Sequence, residues 1–124
     1  MNKLAHFDIH SSDTEKSKAF YEEVFDWKCS SYSGAEEFCQ ITAADGSVIG
    51  AISGRRYNPD SKEIYGFECS ITVDDVEETV RAVEAAGGKT LMPKTAIPDV
   101  GWVAKFHDPE GNLFAAITYD KTAS

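Results

Sequence analysis

From Leu4 to His10 polar and apolar residues alternate, with His6, Asp8 and His10 on one side of an extended chain and Phe7 and Ile9 on the other. That is the pattern of a strand with one covered face. Asp13 follows where a helix N-cap belongs, and the spacing of Ser17, Phe20, Tyr21 and Val24 predicts a helix over Thr14 to Phe25 with one apolar stripe. A short strand over Lys28 to Tyr32 comes next. Then the run Phe38 to Gly46, followed by Ser47 to Ser53, reads as a β-hairpin, because Asp45-Gly46 supplies the positive φ that a tight turn needs.

The same elements return downstream. Tyr65 to Val73 is a strand, and Asp74 or Asp75 caps a helix through Ala86, whose stripe is Val76, Val80 and Val83. Gly87-Gly88 stops that helix, Lys89 to Met92 is the short strand, and a second hairpin turns at Asp108-Pro109-Glu110-Gly111. The two hairpins align without a gap, Gly46 on Gly111 and Ala51 on Ala116. The order is therefore β-α-β-β-β twice: module one covers residues 1–57 and module two residues 58–124, joined by the polar stretch from Gly54 to Glu63 with its Asn58-Pro59-Asp60 turn. A unit of about 60 residues leaves one sheet face bare, so the expectation is a single α+β domain, its two modules forming a curled mixed sheet around a central cleft. Phe7 and Ile9 belong under the first helix, which turns His6, Asp8 and His10 into the cleft. On the matching strand Glu68, Ser70 and Thr72 oppose Phe67, Cys69 and Ile71, so Glu68 and Ser70 point inward too.

Composition narrows the partners. Hydrophobic residues make up 42% of the 124 and charged residues 27%, enough apolar content to build a core. A formal net charge of −9, relieved only at Arg55-Arg56, argues against nucleic acid. No apolar run approaches the roughly 20 residues that span a bilayer, and the first residues lack a signal peptide's apolar stretch, so a cytoplasmic protein without membrane contact is expected. Cys29, Cys39 and Cys69, odd in number and without a CxxC pair, read as small buried apolar residues.

Three stretches resemble the glyoxalase, bleomycin-resistance and extradiol-dioxygenase superfamily, the vicinal oxygen chelate proteins. Leu4-Ala5-His6-Phe7 with Ala19-Phe20-Tyr21 and Val24-Phe25-Asp26-Trp27-Lys28 looks like that family's opening strand and helix, with Asp26 where Gly is common. Val73-Asp74-Asp75-Val76 with Ala86-Gly87-Gly88-Lys89 resembles the second helix and its exit, and Asp108-Pro109-Glu110-Gly111-Asn112 the "DPxGN" turn. The resemblance implies metal ligands at four positions, which in this chain hold His6, Gly50, Glu68 and Ala115. Gly50 and Ala115 have no donor atom, so no closed four-ligand site is expected, and neither metal nor another cofactor is assigned.

Within this frame His6 and Glu68 are the candidate catalytic pair, a His and a carboxylate for proton transfer, with a plain ion pair or two solvated side chains as the alternative. Asp8, His10, Ser70 and Trp102 are candidate ligand-binding residues. Trp27 is expected in the core. Arg55, Arg56 and Tyr57 are either an anion clamp or surface linker. Two functions follow. One is metal-independent sequestration of a small organic molecule; the other is a lyase or isomerase of the glyoxalase-like class using His6 and Glu68, with or without a weakly held divalent metal. An interaction module with no ligand would leave the polar inward face unexplained. The resemblance also implies a homodimer.

Overall fold

The computed structural model describes residues 2–31, 38–54 and 65–124. Its elements follow the expected order: β1 (Leu4–Ser11), α1 (Thr14–Val24), β2 (Lys28–Ser31), β3 (Phe38–Thr42), β4 (Val48–Gly54), β5 (Gly66–Thr72), α2 (Val76–Ala85), β6 (Lys89–Ile97), β7 (Gly101–His107) and β8 (Leu113–Tyr119). Among the described residues, eight strands and two helices make an α+β fold. It divides into two compact units, His6–Glu68 and Met1–Ala5 with Cys69–Ser124, the division falling inside β1 and β5. The expected linker turn at Asn58-Pro59-Asp60 and the residues Arg55, Arg56 and Tyr57 lie outside the described residues.

In the unit His6–Glu68 the strands run β2-β3-β4-β1, antiparallel except for the parallel β4–β1 pair. Asp13 caps α1, its carboxylate accepting from the Lys16 amide at 3.1 Å. The core under the helix holds Ile9, Cys29, Cys39, Ile41 and Ile52, with Phe7, Tyr21, Trp27 and Ile49 packed against it. Burial pushes the thiols of Cys29 and Cys39 up, and Glu22 adds to the effect on Cys29. Those two cysteines behave as apolar filling, whereas Cys69 is only partly buried. The helix stripe needs correcting. Tyr21 packs inward, but Phe20 and Val24 are 56% and 54% exposed, and Ser17 spends its hydroxyl on Ser11 at 2.6 Å.

In the other unit the strands run β5-β8-β7-β6, with β5 and β8 parallel. Its core is Val76, Ala104, Phe106 and Ala116, flanked by Val73, Val80, Val83, Trp102 and Phe114, so the α2 stripe packs as its spacing predicts. Asp75 rather than Asp74 caps α2, accepting from the amides of Glu77 and Glu78 at 2.9 and 3.2 Å. β6 runs past the expected end at Met92 through Pro93, with register shifts on β7. It is the last strand in its order, and an edge strand tolerates the missing amide of proline.

The hairpin turns are built alike. Ala43 N–H bonds Ser47 C=O at 2.8 Å and Gly46 N–H bonds Ala43 C=O at 2.9 Å, with Gly46 at φ 88; Asp108, Asn112 and Gly111 repeat this at 3.0 Å, 2.9 Å and φ 84. Bonds from Ser47 hold the Asp45 carboxyl below the usual range, and bonds from Asn112 do the same for Asp108. The stabilisation is complete above the ordinary aspartate pKa of about 3.9 and is lost as pH falls through the lower folded values. Carboxyl-detected NMR titration should therefore place both midpoints below that of an unconstrained aspartate. Among the described residues, no helix is long and apolar enough to cross a membrane.

Candidate functional site

The core under α1 takes Phe7 and Ile9 from β1, which turns His6, Asp8 and His10 to the face away from that helix. Two contacts organise this face. His6 Nε2 lies 3.3 Å from Asp8 Oδ1, with both side chains partly exposed. His10 Nε2 lies 2.9 Å from Glu68 Oε1, and here the side chains are 0% and 2% exposed. The structure thus pairs Glu68 with His10, not with the expected His6. Phe67, the neighbour of Glu68, stacks on Phe7 with centroids 5.4 Å apart, so alternation along β5 sends Glu68 to the opposite side, toward His10.

Position and chemistry combine at His10. The tautomer of His10 that donates Nε2–H to Glu68 carries its ring lone pair on Nδ1. Among the described residues, that Nδ1 is buried and has no hydrogen-bond partner, and the hydroxyl of Ser53 is likewise buried and unpartnered. His10 and Ser53 are direct partners in the parallel β1–β4 ladder. Ser53 was not anticipated from the sequence, because its strand carries an irregularity.

That irregularity is a bulge. Val48 pairs with Thr42 but Gly50 pairs with Ile41, so β4 holds one extra residue there. Gly50 and Ile52 then face α1 with Ile41 and Cys39, while Ala51 and Ser53 face the other way. A Cβ on Gly50 would meet the Phe7 carbonyl oxygen at 2.5 Å and the Phe7 ring at 3.0 Å. In β8, Phe114 and Ala116 pack on the α2 side and Ala115 opposes them. The position equivalent to Ala115 is therefore Ala51, not Gly50. A glycine inside a strand pattern is the signal that would have raised the bulge.

The remaining candidates separate. Ser70 is buried in the other unit, paired with Ala115. Trp102 packs on the α2 side with Ala104 and Phe106, donates Nε1–H to Asp120 at 3.2 Å and has Lys94 Nζ 4.6 Å from its ring centroid. It does not share the face that carries Ser70. Trp27 packs in the first core as expected.

Residues 3–116 match the sequence profile of the Glyoxalase/Bleomycin resistance protein/Dioxygenase superfamily. The chain belongs to that superfamily. It is 30% identical to a glyoxylase-like domain-containing protein of Didymella fabae, covering 94% of this chain and 93% of that protein. It is also 30% identical to the anthracycline biosynthesis protein DnrV of Streptomyces peucetius, where the match covers 90% of this chain but 45% of DnrV, so the chain spans about half of that relative's length. Among solved structures, the Mn(II)-bound glyoxalase from Novosphingobium aromaticivorans superposes with a TM-score of 0.60 at 20% identity, over 100% of this chain and 42% of that one, a likeness of fold.

The residues present do not fit the metal that this fold implies. Of the four family positions, two hold alanine, Ala51 and Ala115. His6 is engaged by Asp8 and Glu68 by His10. Among the described residues, no group of three or more His, Cys, Asp or Glu side chains is arranged to hold a metal ion.

Proposed function

We propose that this chain is a metal-independent small-molecule-binding member of the superfamily, which sequesters an organic ligand against the face of β1 and β4 turned away from α1. The observation that carries this reading is the bond between Glu68 and His10. At a position where the family places a metal ligand, the carboxylate is committed to an imidazole, and alanine stands at the two strand-end positions. Asp8 and His10 are the ligand-contacting residues of this reading. Two protein donors are too few for a tight divalent site, for which catalytic zinc generally uses three. Protein purified without added metal should carry well below one equivalent, and chelator should leave its melting temperature almost unchanged, because a metal bound to the native state raises stability with its occupancy. Elemental analysis finding stoichiometric metal that resists dialysis would overturn the metal-independent reading. Native mass spectrometry of freshly purified protein should retain a small-molecule adduct.

A second reading, a lyase or isomerase, is favoured by the same pair, since a carboxylate on one ring nitrogen orients the other for proton transfer. His10 then takes the role first given to His6. Under it Glu68→Gln would abolish turnover while a bound ligand is retained.

We also propose a homodimer. Phe20, Phe25 and Phe67, all in one unit, are each about half exposed or more, and all three lie against Tyr21. Such a cluster is costly to leave in water. Light scattering should give twice the chain mass at micromolar concentration, and Phe25→Glu should shift it toward monomer; a monomer mass for the unmodified chain would refute this.

A further inference from the structure

We infer that His10 Nδ1 and Ser53 Oγ form a two-point seat for one hydroxyl group of the bound ligand. This rests on the binding reading above and adds the ligand's chemistry. The two atoms belong to residues paired across adjacent parallel strands and lie on the same face, opposite Ile9 and Ile52. Each is buried and, among the described residues, unpartnered. Unpaired polar atoms in a protein interior cost free energy and call for a partner.

The chemistry of the pair selects the group. With the Nε2 proton donated to Glu68 at 2.9 Å, the neutral ring of His10 presents Nδ1 as an acceptor, so the incoming atom donates to it. Ser53 can donate in return. A hydroxyl oxygen, as in an alcohol, a phenol or a carbonyl hydrate, donates to Nδ1 and accepts from Ser53 at once. An ether or a ketone oxygen accepts only and leaves Nδ1 unsatisfied. Neither seat residue is itself a family ligand position, although His10 is bonded to Glu68, which is one: Ser53 is two residues beyond Ala51 on β4, and His10 four beyond His6 on β1.

The test uses the full chain labelled with ¹⁵N-histidine, with phenol as the hydroxyl probe and anisole as the matched probe whose oxygen cannot donate. The His10 ring resonances are assigned by comparison with His6→Gln and His107→Gln. Phenol is expected to shift the Nδ1 signal of His10 saturably, anisole is not, and Ser53→Ala should weaken phenol roughly five- to tenfold, the effect of one lost hydrogen bond. Equal shifts with both probes, or none with phenol, would overturn the seat, the second result meaning that the two atoms hold a buried water at most. Failure here is separable from failure of the binding reading. An adduct in native mass spectrometry together with an unmoved His10 signal removes the seat alone, whereas absence of any adduct removes the binding reading.

Discussion

Replacing Glu68 by leucine is expected to lower the unfolding free energy by about 3 kcal/mol, the usual consequence of removing one member of a buried polar pair. His10 has its Nδ1 unpartnered, and Glu68 is what satisfies its Nε2. Losing Glu68 leaves Nε2 buried without that partner as well, which adds a desolvation penalty of about 1–3 kcal/mol to the one Nδ1 already carries. The double change His10→Leu with Glu68→Leu removes the orphaned groups together and should recover most of the loss, since a buried pair can often be exchanged for apolar residues at little cost. Urea denaturation of wild type, both single variants and the double variant closes the cycle and isolates the share of Glu68 that acts through His10. A chain of this size should also lose roughly 10 °C of melting temperature in Glu68→Leu. If the single losses simply add in the double variant, the pair is not coupled and the proposed site loses its anchor.

Much of this arrangement could be read along the chain, because it depends on local spacing. The caps at Asp13 and Asp75, the turns at Gly46 and Gly111, and the facing of Phe7 and Ile9 all follow from neighbours within a few residues. The family follows from the same short motifs. What could not be read depends on distance in space. Glu68 and His10 are 58 residues apart, and which histidine of β1 meets the carboxylate is set by how far one strand slides past another, which alternation does not reveal. Periodicity also failed at Phe20 and Val24. A helical stripe marks an apolar face, but not whether the chain's own sheet covers it or leaves it for a partner. Trp102 shows a related limit: an aromatic residue at a strand start suits either face, and its packing with Ala104 and Phe106 puts it on the α2 side.

The bulge at Gly50 has the sharpest mutational signature. Alanine is ordinarily the better residue inside a strand, by roughly 0.5–1 kcal/mol over glycine. At Gly50 the sign should reverse. The added methyl would lie 2.5 Å from the carbonyl oxygen of Phe7, a backbone atom of the neighbouring strand that cannot swing aside, and 3.0 Å from the Phe7 ring, which is held by Trp27 and Phe67. Relief requires β1 and β4 to part, so Gly50→Ala is expected to cost about 2–3 kcal/mol, in the range of overpacked cores. Ala51→Gly, one residue on and facing away from α1, removes a buried methyl without any clash and should cost only about 1 kcal/mol. The comparison decides which residue of β4 looks toward α1. Were Gly50→Ala neutral or stabilising, Gly50 would face open space, the extra residue in β4 would lie elsewhere, and Ser53 would no longer stand on the face of His10.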